Sequence, residues 1–186
     1  MDINYTYHPN LNKSKPRIMT GLIALIGLVL LFSASFLPYP AIWQGVAICM
    51  LAIAVYFAAH YLLTDFTYSI ETSQQGFDEE EPVETHDFII LRNGRMAARI
   101  GMTAIVKIEW ETPENKKVKS GTRIFNYFSE WGPPRICRVT YLDTSLENGE
   151  PVLIRFLSDD TLFGYIESLI AALKRKNRKQ AKEQEN

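Results

Sequence analysis

Charged side chains are absent from residues 18–63 of this chain, a stretch of 46 residues without a single Asp, Glu, Lys or Arg. Such a stretch cannot form an ordinary solvated surface, because charged residues dominate the exterior of soluble domains. The break Leu37-Pro38-Tyr39-Pro40 divides it into two apolar segments, residues 18–37 and 41–63. Each segment approaches the ~20 residues that a helix needs to cross ~30 Å of hydrocarbon. Because proline ends a helix, the sequence predicts a transmembrane hairpin that turns at the two prolines.

Cysteine and histidine are also scarce, which limits the chemistry that the chain can carry out. Cys49 and Cys137 are the only two cysteines, so no disulfide framework is expected and a reducing compartment is favoured. His8, His60 and His86 lie in the N-terminal arm, an apolar segment and the start of a strand, so they do not form a triad with Cys137.

The chain contains no nucleophile motif, phosphate loop or zinc-ligand spacing. The acidic run 78–81, together with Glu84, His86 and Asp87, could hold a divalent cation, but it lacks the glycine and alternating ligands of a calcium loop. A solvated loop or a docking site for a basic partner is the alternative interpretation. We therefore expect a non-enzymatic protein with no catalytic residue, cofactor, metal site or nucleic-acid partner.

Basic residues near the apolar segments indicate the orientation of the hairpin. Lys13, Lys15 and Arg17 precede the first segment, whereas the turn between the segments has no basic residue. The positive-inside rule then predicts a multi-pass protein of the cell membrane with both termini in the cytoplasm. The alternative is a signal peptide cleaved near Ser33-Ala34-Ser35, but the apolar run exceeds the ~7–15 residues of such peptides.

Small residues recur on one face of each apolar segment and allow close approach of helices in a membrane. This face either packs the hairpin on itself or forms a homodimer interface. The residues that define it are Ala24, Gly27 and Ala34 in the first segment and Ala41, Gly45 and Ala52 in the second.

The hydrophobic period changes after the hairpin, from helical to the period of two that strands show. Residues 1–17 read as a flexible cytoplasmic arm, and residues 64–173 as one cytoplasmic domain. Asn93-Gly94 predicts a type I′ hairpin turn, and Ser158 predicts the cap of an amphipathic helix that ends at residue 173 before a basic, polar tail, residues 174–186. The predicted strands are residues 66–71, 87–92, 95–100, 104–111, 122–128, 135–143 and 152–157.

This order of elements resembles the pleckstrin-homology-like (PH-like) roll, and in particular the bacterial PH-like domains that follow a two-helix membrane hairpin. The residues that carry the resemblance are Tyr68-x-Ile70, residues 88–91 before the glycine turn, Ile105-x-x-Ile108, and the final strand that leads into residues 158–173. The resemblance implies a mainly β, α+β domain in which a seven-stranded roll is capped by the C-terminal amphipathic helix. It also implies a binding or assembly module, because such families are mostly non-enzymatic.

The first strand loop departs from the family pattern, because residues 73–85 are acidic where lipid-binding members carry lysine and arginine. Phosphate would be repelled there. Candidate partner-binding residues lie elsewhere, namely Tyr127, Phe128, Trp131, Arg92, Arg95 and Arg99. Alternation places Arg95 and Arg99 on one strand face, so that with Arg92 they could form a basic face, and ordinary solvent-facing charge is the alternative. The aromatic residues form either an exposed binding cluster or a buried corner of the domain.

Candidates for contact with the membrane surface are Lys174, Arg175, Lys176, Arg178 and Lys179. The alternative is that these residues form a solvated helix end.

We therefore expect a membrane-anchored binding or assembly module whose partners are the lipid bilayer and another protein. The alternative is a regulatory or assembly subunit of a larger membrane complex, contacted through the hairpin.

Overall fold

The computed structural model describes residues 5–75, 83–118, 120–129, 135–143 and 150–184. The chain forms two compact units. A helical unit comprises Asn10–Asp65 with Ser129–Pro133, and a β-rich unit comprises Met1–Pro9, Phe66–Phe128 and Pro134–Asn186.

The helical unit is a hairpin of two long apolar helices. Helix α1 spans Ser14–Ser33 and continues as a 3-10 turn, Ala34–Phe36, while α2 spans Pro40–Phe57 and continues as a π-helical turn, Ala58–Leu62. With these turns each helix has 23 residues and is long and apolar enough to cross a membrane. The predicted hairpin is confirmed as a fold, although α1 begins four residues earlier than expected, since Pro16 fits the first helical turn.

Hydrogen bonds close the open end of the hairpin. The Lys13 ammonium group donates to the Leu62 carbonyl at 2.9 Å and to the Asp65 carboxylate at 2.5 Å. The residue before α1 is therefore held against the end of the second helical segment.

The β-rich unit contains two sheets of four strands each in the part of the chain that the structure describes. The first sheet has the order β1-β2-β3-β4, all antiparallel, formed by Tyr5–Tyr7, Phe66–Gln75, Val83–Arg92 and Arg95–Gly101. The second has the order β5-β7-β8-β6, in which β6 lies parallel to β8, formed by Ile105–Trp110, Arg123–Tyr127, Ile136–Asp143 and Glu150–Leu157 in chain order.

All seven predicted strands are present. The described residues also contain an eighth strand, so the expected number of strands was wrong. Strand β1 comes from the N-terminal arm, which we expected to be flexible. Tyr5 donates to the Asp159 carboxylate at 3.2 Å and its ring lies 5.1 Å from that of Tyr165. A three-residue strand shows no measurable period, so its pairing depends on these tertiary contacts.

Helix α3 spans Asp160–Gln184, whereas the sequence pattern predicted an end at residue 173. The apolar stripe stops there, but the Lys, Arg, Gln, Glu and Ala residues that follow are good helix formers. The N-cap is Asp159 rather than Ser158, because the Asp159 carboxylate accepts the Leu162 N–H at 2.7 Å.

Tyr68 joins the two sheets at the centre of the core. Its fully buried ring lies 5.3 Å from that of Phe156, which in turn lies 4.8 Å from Phe88. The Tyr68 hydroxyl donates to the Tyr127 carbonyl at 2.5 Å and accepts the Leu157 N–H at 3.4 Å. Burial raises the pKa of Tyr68 above its ordinary value, so the phenol stays neutral.

Candidate functional sites

The turn between β3 and β4 carries two of the predicted partner-binding arginines. Asn93 and Gly94 have φ values of 51° and 73°, which confirms the predicted type I′ turn. Across the turn Arg92 is paired with Arg95, and on its other side Arg92 is paired with Phe66. These three residues form the last row on one face of the first sheet, beyond the buried Tyr68 row.

Arg99 does not join this pair, although alternation in the sequence placed Arg95 and Arg99 on one face. The register shifts between Ile90 and Leu91, so Arg99 is paired with Ile89 while Arg95 is paired with Arg92. A bulge adds one residue and reverses the alternation, which moves Arg95 to the opposite face. Arg99 instead donates to the Asp87 carboxylate, from Nη2 at 2.5 Å and from Nε at 2.8 Å. The expected basic face of three arginines is therefore not formed.

An open cavity of about 610 Å³ adjoins the turn, lined by Arg92, Asn93, Arg95, Met96 and Ala97. Both arginines are exposed, and neither has a side-chain partner among the described residues. Like charges directly opposite each other destabilise a strand pair. An anion bound between them would remove this repulsion.

The aromatic candidates do not form one exposed cluster. Phe128 is buried beneath the Arg155 guanidinium, 5.3 Å from its ring, so it fits the interpretation of a buried corner rather than that of an exposed contact. Tyr127 is half-buried, with its ring 6.3 Å from Phe125. Trp131 lies outside the described residues.

The basic candidates near the C-terminus are helical rather than part of an irregular tail. Lys174, Arg175, Lys176 and Arg178 are exposed on α3, and Lys179 belongs to the same helix. The Lys174 ammonium group donates to the Val106 carbonyl at 3.1 Å. Their contact with a membrane surface stays a prediction.

The small-residue faces behave differently in the two helices. In α1, Gly27 is buried and Ala24 half-buried, and a β-carbon at Gly27 would lie 3.1 Å from the Leu51 side chain. Ala34, in the 3-10 turn after α1, is also buried. In α2, burial falls instead on Ala47 and Ala54. The predicted α2 face is exposed, namely Ala41, Gly45 and Ala52.

Sequence reasoning missed three largely buried charged side chains in or beside the second sheet, Arg155, Glu111 and Arg138. The Arg155 guanidinium donates to both Glu111 oxygens at 2.5 and 2.7 Å, and the two side chains are 18% and 10% exposed. Arg138 is 6% exposed, and its Nε and Nη1 have no hydrogen-bond partner among the described residues. The nearest carboxylate oxygen in an ion pair with Arg138 is that of Glu109, 4.0 Å from Nη1. The alternating hydrophobic pattern predicted that these strands contribute to the core, but it did not predict that arginine side chains would be buried there.

Within the described ranges, no group of three His, Cys, Asp or Glu side chains is arranged to hold a metal ion. Comparisons of the chain with protein-family models, with curated proteins and with solved structures found no match.

Proposed function

We propose that this protein is a non-enzymatic binding or assembly module, anchored in the cell membrane by its hairpin and presenting the β-rich unit at the cytoplasmic face. The observation that carries the proposal is the pairing of β1 with β2. Strand β1 precedes the hairpin and β2 follows it, yet Tyr7 is paired with Tyr68 and Tyr5 with Ile70.

Strands of one sheet must lie on the same side of a membrane. The chain between them therefore crosses an even number of times, and its two apolar helices supply two crossings. The basic residues Lys13, Lys15 and Arg17 before α1 support a cytoplasmic location for that side. Cleavage near Ser33-Ala34-Ser35 would remove β1 from its sheet, so the pairing also supports retention of the hairpin.

We propose further that the β-rich unit is related to PH-like domains. The order of seven strands followed by a C-terminal helix supports this relationship. The parallel pairing of β6 with β8 is not part of a simple antiparallel meander, so the relationship rests on the order of elements.

A second candidate function is a regulatory or assembly subunit that is contacted through the hairpin by a membrane partner or by a second copy. The exposed face formed by Ala41, Gly45 and Ala52 favours this candidate, because α1 does not cover it. Small residues on an uncovered face allow another helix to approach closely within a membrane.

Cysteine labelling in intact cells tests the proposed topology. In a Cys49→Ala background, Tyr39→Cys should react with a membrane-impermeant maleimide, whereas Ser120→Cys should react only after permeabilisation. Cys137 serves as an internal control, because it is fully buried and burial raises the pKa of its thiol. Labelling of Ser120→Cys alone in intact cells would overturn the orientation.

A further inference from the structure

The two arginines of the β3–β4 turn lie at the end of the sheet where the chain leaves the hairpin. Phe66, the register partner of Arg92, comes four residues after Leu62, the last residue of the second apolar helix. Four residues of chain span at most about 14 Å, and paired residues on neighbouring strands lie about 5 Å apart. Chain connectivity alone therefore limits Arg92 to at most about 19 Å, and Arg95 to at most about 24 Å, from the end of that helix.

The opposite end of the same sheet is where β2 ends and β3 begins. Strand β2 runs from Phe66 to Gln75, which is paired with Val83 on β3. At about 3.3 Å per residue, the ten residues of β2 extend roughly 30 Å, more than three Debye lengths in physiological salt. Charges at that end of the sheet are therefore screened from Arg92 and Arg95.

Three properties of the turn together define an anion site. Arg92 and Arg95 face each other as register partners, they lack a side-chain partner among the described residues, and they line the same open cavity. Arg99 lies on the other face and differs from these two arginines, because its charge is already neutralised by the Asp87 carboxylate.

We propose that Arg92 and Arg95 bind the phosphate group of an anionic lipid in the cytoplasmic leaflet. The inference rests on the proposed function, because it requires the hairpin to hold the turn near the membrane. Guanidinium groups bind phosphate through two parallel N–H···O bonds, which a lysine cannot reproduce. Tethering by the hairpin keeps the lipid phosphate at a high effective concentration.

Native mass spectrometry of the full-length protein, released from mixed micelles of phosphatidylglycerol and phosphatidylcholine, tests this site. The protein should retain phosphatidylglycerol preferentially, and the double variant R92Q/R95Q should lose about 30-fold of that preference, or about 2 kcal/mol at 1.4 kcal/mol per factor of ten. The matched control R175Q/R178Q removes the same charge from α3 and should retain the preference. Loss in this control with retention in R92Q/R95Q would assign the lipid to α3 and overturn the site.

Two further measurements identify the chemical class of the ligand. R92K/R95K keeps both charges but loses the planar fork, so it should lose part of the preference, and full retention would show only general attraction to an anionic surface. Millimolar inorganic phosphate should not displace the bound lipid, and displacement would transfer the site to free phosphate. The labelling of Tyr39→Cys is independent of both, so a wrong topology and a wrong lipid site give different results.

Discussion

At the scale of single residues, Arg155 and Arg138 differ in how well other groups compensate their buried charge. Arg155 forms a bidentate pair with Glu111, so removing the guanidinium leaves a carboxylate that is only 10% exposed without its counter-ion. Arg138 has two buried N–H groups without hydrogen-bond partners in the described part of the chain, and Glu109, which forms a long ion pair with it, keeps Lys107 as a counter-ion when Arg138 is removed. Breaking a buried ion pair costs about 3–5 kcal/mol, whereas replacing poorly compensated buried charge by an apolar side chain is often neutral or stabilising.

We therefore expect opposite results from the same substitution at the two positions. Arg155→Met should lower the free energy of unfolding of the β-rich unit by about 3 kcal/mol, and Arg138→Met should leave it unchanged or raise it by about 1 kcal/mol. Urea unfolding of the full-length protein in detergent, followed by circular dichroism, measures both. Equal destabilisation would mean that Arg138 has a partner that compensates its charge.

Tyr68 makes the stability of the β-rich unit depend on alkaline pH. Burial raises the pKa of Tyr68 in the folded state above the value of about 10 in the unfolded chain. Its contribution is therefore complete below pH ~10 and is lost as the pH rises toward the folded-state pKa.

Unfolding titrations between pH 8 and 11 should show stability falling above about pH 10. Tyr68→Phe should cost about 1 kcal/mol at pH 8, because it removes the bonds to Tyr127 and Leu157, and should reduce the alkaline loss. An alkaline loss of the same size in Tyr68→Phe would assign it to another tyrosine, such as Tyr5 or Tyr7, whose pKa burial also raises.

At the scale of elements, Gly94 determines the geometry of the basic turn. Its φ of 73° is strained for a β-branched residue, so Gly94→Val should destabilise the β-rich unit by roughly 1–3 kcal/mol. Gly101→Ala is the matched control, because Gly101 has an ordinary φ of −62° and a β-carbon there would have its nearest contacts at 3.7 Å. Thermal unfolding of both variants measures the difference, and equal midpoints would contradict the turn.

The two glycines on the predicted small-residue faces should respond differently to a larger side chain. Gly27→Val places atoms against Leu51 and should weaken packing within the hairpin, whereas Gly45→Val meets open space. Gly45→Val should therefore alter only association with a further helix, with Gly21→Val as a control at an equally open position. Cross-linking in membranes, together with the melting temperature, separates the two effects.

An element could be predicted from the sequence when the residues that determine it lie within a few positions of one another. The apolar helices, the Asn93-Gly94 turn and the seven longer strands follow from patterns within a few residues, and each was found near its predicted position. Strand β1, the bulge that separates Arg95 from Arg99, and the parallel pairing of β6 depend on contacts between distant parts of the chain. The candidate site was predicted only in part for the same reason, because the bulge decides which arginines share a face.

At the scale of the whole molecule, the hairpin is an insertion between two neighbouring strands. Strand β1 ends at Tyr7 and β2 begins at Phe66, so both ends of the hairpin connect to adjacent strands of one sheet. The pairing of β1 with β2 therefore brings together the two strands that flank the hairpin in the sequence.

A disulfide between β1 and β2 tests this arrangement together with the topology. In a Cys49→Ala background with a protease site inserted at Tyr39, the paired residues Thr6 and Ser69 are replaced by cysteine. Oxidation should link Thr6→Cys to Ser69→Cys, because paired residues bring their β-carbons within about 5 Å. Cleavage at the turn from outside the cell should then leave two fragments that separate only under reducing conditions.

The matched pair Thr6→Cys and Glu71→Cys is two residues out of register, with β-carbons about 7–8 Å apart, and should not link. Separation of the Thr6→Cys/Ser69→Cys fragments without reductant would show that the strands before and after the hairpin do not share a sheet.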